Sequence, residues 1–198
     1  MSERKDRYMA SAEYELIYLQ AALRLLESYL LAQDLYWPIG VKAPVGNPPY
    51  PQLTLGNFLF YLKRLRAYPL TMDQQVELTR IEKQLNNIQT QWRVAWEQKS
   101  EREFNARLKL WRDFLEEYRD NPGNHVDRYP YEVTRRVLLE LLTPQAGKIP
   151  SAEVELLSGL DKLLYARFIP GNFVWESELS QSFLQQPYWY LYGTLRAE

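Results

Sequence analysis

Cysteine is missing from the chain, and that one absence removes disulfides, thiolate nucleophiles and every cysteine-based zinc site. A protein with no thiols suits a reducing compartment, and a cytoplasmic location is the expectation. Histidine is almost missing as well: His125 stands alone. Three-histidine metal centres are excluded by count. Di-iron bundles are excluded too, because they need Glu-x-x-His motifs from paired helices and no glutamate stands three residues before His125. Among glycines, no Gly-x-Gly-x-x-Gly, P-loop or Gly-x-Ser-x-Gly pattern occurs, so the usual phosphate cradles and the serine elbow are lacking. No run approaches the ~18 uninterrupted apolar residues of a membrane span. The apolar stretch from Met9 carries Glu13, Glu15 and Arg24, where the core of a secretory signal is uncharged. No catalytic residue, metal or cofactor is assigned, and the reading leans away from an enzyme.

Positive charge is not in surplus either. Lys and Arg number 24 against 25 Asp and Glu, for a net charge of −1. Nucleic-acid binders draw affinity from neutralising phosphates, so nucleic acid is not the expected partner. Lys63, Arg64 and Arg66 form the one basic cluster, and they read as a solvated helix face.

What the chain does contain is aromatic surface: 15 Tyr, 7 Phe and 6 Trp in 198 residues. Tyrosine joins a large apolar body to one hydroxyl and suits half-buried helix faces, pockets and interfaces. From Tyr8 to Tyr36, Leu16, Leu19, Leu23, Leu26 and Leu30 form one row at spacings of three and four. Tyr18, Ala22, Leu25, Tyr29, Ala32 and Tyr36 form a second, ~120° away at 100° per residue. A helix with two apolar rows touches neighbours on two sides, so it is central to a bundle.

The stretch "PIGVKAPVGNPPYP" (38–51) follows, half of it proline or glycine. The preceding helix, at about 28 residues, spans ~42 Å, and the stretch reaches ~46–50 Å extended, so it is read as a crossover running back along the helix. Beyond it, "FLFYLKRLRA" begins a second helix near Thr54. Thr71 and Gln74 form a capping box for a third, carrying Leu78, Ile81, Leu85, Ile88, Trp92 and Ala95. Residues 97–103 are all polar, and an unbroken helix over 72–118 measures ~70 Å against a ~16 Å radius of gyration. A break near Ser100 is therefore expected, with a return through Phe104, Leu108, Trp111, Leu115 and Tyr118. Two more helices are predicted, over about 130–142 and from a cap at Ser151, with no strands.

The fold class expected is all-α: one domain over 1–198, a bundle of five to six main helices. The bundle body is 1–167, and 168–198 is an aromatic segment that wraps it or meets another subunit. There one or two short helices are expected, closed by Gly193, with Pro170-Gly171 as a turn. Function is read as a non-catalytic interaction or scaffold module, a homodimer through Phe173, Trp175, Tyr188, Trp189, Tyr190 and Tyr192. The alternative is a small-molecule binder whose pocket is formed by Tyr18, Tyr29 and Tyr36, with Trp37 and Tyr50 as a lid. The third is a carboxylate–metal hydrolase. Glu117 and Asp120 match the second half of the acidic pairs of helical nucleotide pyrophosphohydrolases, with Asp113 and Glu116 one turn away, but no upstream Glu-x-x-Glu matches the first half. Interleaved Arg112 and Arg119 favour a solvated face there.

Overall fold

The computed structural model describes residues 11–198, so the expected helix start at Tyr8 lies outside the described residues. The chain is an all-α bundle with one two-stranded sheet. Helix α1 (Ala12–Leu31) opens where the Ser11 side chain accepts the Tyr14 N–H, with Glu13 and Glu15 in the first turn at the positive end of the helix dipole. It is followed by α2 (Leu55–Leu65), α3 (Met72–Gln91), α4 (Arg93–Asp120), α5 (Pro122–His125), α6 (Tyr129–Glu132), α7 (Thr134–Leu142) and α8 (Ser151–Arg167). Six of these are nine residues or longer, as the spacing of apolar residues predicts.

Both rows of α1 are hidden. Leu16, Leu19, Leu26 and Leu30 are buried on one, Tyr18, Ala22 and Tyr29 on the other, and α1 contacts α2, α3 and α4. The helix is shorter than its pattern suggests. It ends at Leu31, and Tyr36 lies beyond it, 40% exposed.

Two expectations about the connections need correcting. The proline-rich stretch does reach back to the first turn of α1, where Tyr14 Oη donates to the Pro48 carbonyl at 3.3 Å and Tyr50 Oη to that of Tyr14 at 2.8 Å. It then doubles back. Trp37 and Leu53 exchange backbone hydrogen bonds of 3.1 and 2.7 Å, so the loop closes on itself. Helix α2 consequently starts beside the end of α1 and runs antiparallel to it, carrying Tyr61 to Tyr14 and Arg64 to Glu15.

The second correction concerns Ser100, where α4 runs through unbroken. The chain bends instead at Trp92, with φ −112° and ψ 33°. The polar run stays helical because its side chains have buried work. Lys99 Nζ donates to the carbonyls of Ala32 and Asp34, each at 2.8 Å, and lies 4.4 Å from the Tyr29 ring centre. It supplies the cationic cap that the last turn of α1 lacks. One turn on, Glu103 accepts the Gly56 N–H of α2 at 2.8 Å. The polar stretch of α4 thus fastens both ends of the proline-rich loop.

Smaller differences follow the same logic. The helix expected over 130–142 divides at Val133 into α6 and α7. Ser151 is the first helical residue, not a cap; Pro150 holds the cap position. Strands also occur, contrary to expectation: β1 (Phe168–Phe173) pairs antiparallel with β2 (Tyr192–Leu195), and Pro170 lies opposite Gly193. Pro170-Gly171 is therefore strand rather than turn, and Gly193 sits in β2 rather than closing a helix.

The segment after β1 wraps its own bundle. Leu179, Phe183, Tyr190 and Leu191 are fully buried, Tyr129 Oη donates to the Tyr190 carbonyl at 2.6 Å, and Trp175 Nε1 to that of Pro130 at 2.8 Å.

One buried ion pair joins α1 to α2. Arg64 Nε donates to Glu15 Oε1 at 2.7 Å, and Glu15 Oε2 has no hydrogen-bond partner among the described residues. Burial pushes the Glu15 carboxyl up to about 7 although Arg64 pulls it down. The folded protein then holds a proton on Glu15 up to that pH, whereas the unfolded chain releases it near the ordinary value of 4.5. Between those values the native state binds more protons, so this group contributes stability that is lost as pH rises. Urea titrations from pH 4.5 to 7.5 are expected to show Glu15→Gln gaining on the wild type as pH increases; a constant difference between the two refutes the assignment.

Candidate binding cleft

A cleft of about 600 Å³ opens beneath the proline-rich loop. Pro48, Pro49 and Pro51 form its roof, Phe60 and Tyr61 of α2 its floor, and Tyr14 of α1 its inner end. Arg107 and Leu110 come from α4 on one wall. Tyr131 of α6 with Thr134, Arg135 and Leu138 of α7 form the other, and Tyr36 stands at the rim.

The roof is held by phenols. The Tyr14 and Tyr18 rings lie 4.6 and 5.5 Å from that of Tyr50, and Tyr18 packs 4.1 Å from Tyr61. Tyr18 Oη donates to the Gln52 carbonyl at 3.4 Å. Tyr14 Oη, itself a donor to Pro48, lies 3.3 Å from Tyr61 Oη. Burial pushes the Tyr14, Tyr18, Tyr50 and Tyr61 phenols above their ordinary value, so they remain protonated donors at neutral pH. A loop rich in proline has few N–H groups to spend on secondary structure, and the Tyr14 and Tyr18 hydroxyls meet its carbonyls instead.

Each wall arginine is braced from behind by a buried carboxylate. Glu103 Oε1 accepts Arg107 Nε at 3.2 Å and Nη2 at 3.1 Å. Glu132 pairs with Arg135 through Nη1 and with Arg128 Nη2 at 2.7 Å. Arg135 Nη1 also donates to the Leu110 carbonyl at 3.2 Å, which ties α7 to α4 one turn from Arg107. Arg107 stacks over the Tyr36 ring, its guanidinium carbon 5.8 Å from the centroid.

Of the residues read from sequence as pocket-forming, Tyr36 lines this cleft and Tyr50 packs behind its roof. Tyr18 and Tyr29 are fully buried core, the latter donating to the Leu35 carbonyl at 3.0 Å. Trp37 is half-buried in the bridge that closes the loop. Sequence reading missed Arg107, Tyr131 and Arg135. Tyr131, Arg135 and Leu138 recur at helical spacing, a mixed aromatic, basic and apolar face that was the available signal.

The other candidates are dispersed. Tyr188 and Tyr190 are buried within the chain's own wrap, and Phe173, Trp175, Trp189 and Tyr192 are half-buried against it. Lys63, Arg64 and Arg66 diverge, to the Phe183 and Tyr188 rings, to Glu15 and to Glu82. Asp113 pairs with Lys109 at 3.0 Å, Glu116 lies 3.8 Å from Arg112, Glu117 pairs with Arg128 and Asp120 with Arg119. His125 Nδ1 lies 3.1 Å from Arg128 Nη1; a guanidinium only donates, so this nitrogen is the acceptor. Among the described residues no three His, Asp or Glu side chains are grouped to hold a metal ion, and no helix is long and apolar enough to cross a membrane. Compared with protein-family models, curated proteins and solved structures, the chain matches none.

Proposed function

We propose that the protein is a non-catalytic binding protein that takes a small organic molecule into the cleft beneath the proline-rich loop. The observation that carries this reading is the cleft's make-up: an aromatic floor with a few convergent polar groups, in about 600 Å³. Ligand pockets fall at ~300–1,000 Å³ and share that composition. Among the described residues the lining offers amide, hydroxyl and guanidinium groups but no carboxylate, imidazole or thiol, which supports holding a molecule over acid–base chemistry on it.

Thr134 is half-buried on the wall, and Thr134→Trp places an indole in the space. Aromatic fragments screened by thermal shift are expected to raise the melting temperature of the wild type, as any ligand of the native state does. The same fragments are expected to leave Thr134→Trp unmoved while its own melting temperature stays within a few degrees. Equal shifts in both proteins refute the site.

A protein-interaction role is the second reading, and α8 is the observation that favours it. Val154 and Tyr165 are 52% and 73% exposed, and Leu157 and Trp189 continue the apolar groove beside them. Apolar patches of this kind often mark association surfaces. Light scattering at high micromolar concentration decides it for a homodimer: a strict monomer removes that form of the reading.

A further inference from the structure

We infer that the cleft selects a small aromatic carboxylate, with its acidic group paired to Arg107 and Arg135; this deepens the binding role proposed above and rests on it. Charge is the first argument. Among the described residues, Arg107 and Arg135 are the only ionisable groups of either sign in the lining besides tyrosine phenols, and no acidic side chain faces the space. Their partner carboxylates sit behind them, Glu103 fully buried and Glu132 2% exposed. The cleft therefore shows a ligand the positive edge of two ion pairs whose negative edge is hidden.

Hydrogen-bond accounting is the second. Arg107 spends Nε and Nη2 on Glu103 and Thr54. Arg135 spends Nη1 on the Leu110 carbonyl, with Glu132 beside that nitrogen as its ion-pair partner. Arg107 Nη1 and Arg135 Nε and Nη2 have no acceptor among the described residues. A guanidinium fixed by a carboxylate on one side and free on the other is pre-oriented, so little side-chain entropy is lost when an anion arrives.

Position is the third. Arg135 reaches across from the α7 wall to the Leu110 carbonyl, which stands ~4.5 Å along the α4 axis from Arg107. A planar carboxylate between the two walls can be approached by an arginine from each while its ring lies on Phe60 and Tyr61. Tyr36, already stacked on Arg107, closes the aromatic side. A neutral aromatic would fill the floor but leave those donors unmet, and a simple inorganic anion would leave the floor empty.

The experiment titrates matched aryl carboxylates and their primary amides, from benzoate and benzamide to 2-naphthoate and 2-naphthamide, by calorimetry and amide NMR. Wild type is compared with Arg135→Gln, chosen because Glu132 keeps Arg128 as a partner at 2.7 Å. The carboxylates are expected to bind at least about tenfold tighter than the amides, the scale of one charge-assisted contact. Added salt is expected to narrow the gap, and Arg135→Gln to cut the ratio severalfold while Arg107 keeps part of it. Equal affinity of acid and amide in the wild type overturns the anion preference and leaves the binding role standing. Failure of every pair to move cleft resonances overturns the binding role itself. A ratio undiminished in Arg135→Gln refutes the part given to that residue.

Discussion

Glu103→Ala is expected to destabilise the protein by ~3–5 kcal/mol, the usual cost of removing one partner of a buried ion pair. Glu103 is fully buried and satisfies three donors at once: the Gly56 N–H, Arg107 Nε and Arg107 Nη2. Alanine strands a guanidinium only 13% exposed and leaves an N–H at the start of α2 without its acceptor. The contact also explains Gly56, where a Cβ would stand 2.7 Å from Glu103 Oε1. For a chain of this size the loss corresponds to a fall of roughly 6–20 °C in melting temperature. Glu103→Ala combined with Arg107→Ala is expected to recover part of it, since the stranded charge goes too. Urea unfolding of the three variants is the measurement. A single-variant loss below ~1 kcal/mol, within the range of an exposed pair, would show that the network is not buried in solution.

The second large effect belongs to Gly193. Its φ is +157°, and an added Cβ would stand 2.2 Å from the Ile169 carbonyl oxygen and 2.6 Å from the Phe168 ring. The first of these is backbone and cannot swing away. Gly193→Ala must therefore open the Pro170–Gly193 pairing that ties β1 to β2. A loss of ~2–4 kcal/mol is expected, from strain plus broken ladder contacts. Hydrogen exchange should report it locally, with the Thr194 and Leu195 amides exchanging faster while α1 and α4 keep their protection. Gly171→Ala is the control: the nearest atom to its Cβ would be 3.7 Å away, an ordinary contact. Comparable melting temperatures for the two variants would count against the close approach at Gly193.

The fate of two segments shows where sequence reasoning reached and where it stopped. For α1, three-and-four spacing identified seven of the ten buried residues, because a helix face is a local property; it missed Tyr14, Glu15 and Ala21. For residues 97–103 the same reasoning failed. A run of seven polar side chains is solvated by default, and the break at Ser100 followed from that default. Lys99 and Glu103 are buried because carbonyls at 32–34 and an N–H at 56 need partners, and those groups lie about fifty to seventy residues away in the chain. The tyrosines divide the same way. Their apolar bodies marked them as packed, yet only the loop's return decided that Tyr18 and Tyr29 are core while Tyr36 edges a cleft.

By itself, then, the order of residues determined helical class, the two-sided first helix, the capping box at Thr71 and the lack of thiol or multi-histidine chemistry, since each depends on neighbours within a turn or on composition. The tertiary structure alone decided that α2 runs antiparallel to α1, that the strands pair, and that Arg107 and Arg135 line one cleft. Those features depend on which distant backbone groups and charges must satisfy one another once water is excluded, and that requirement has no period a sequence can display.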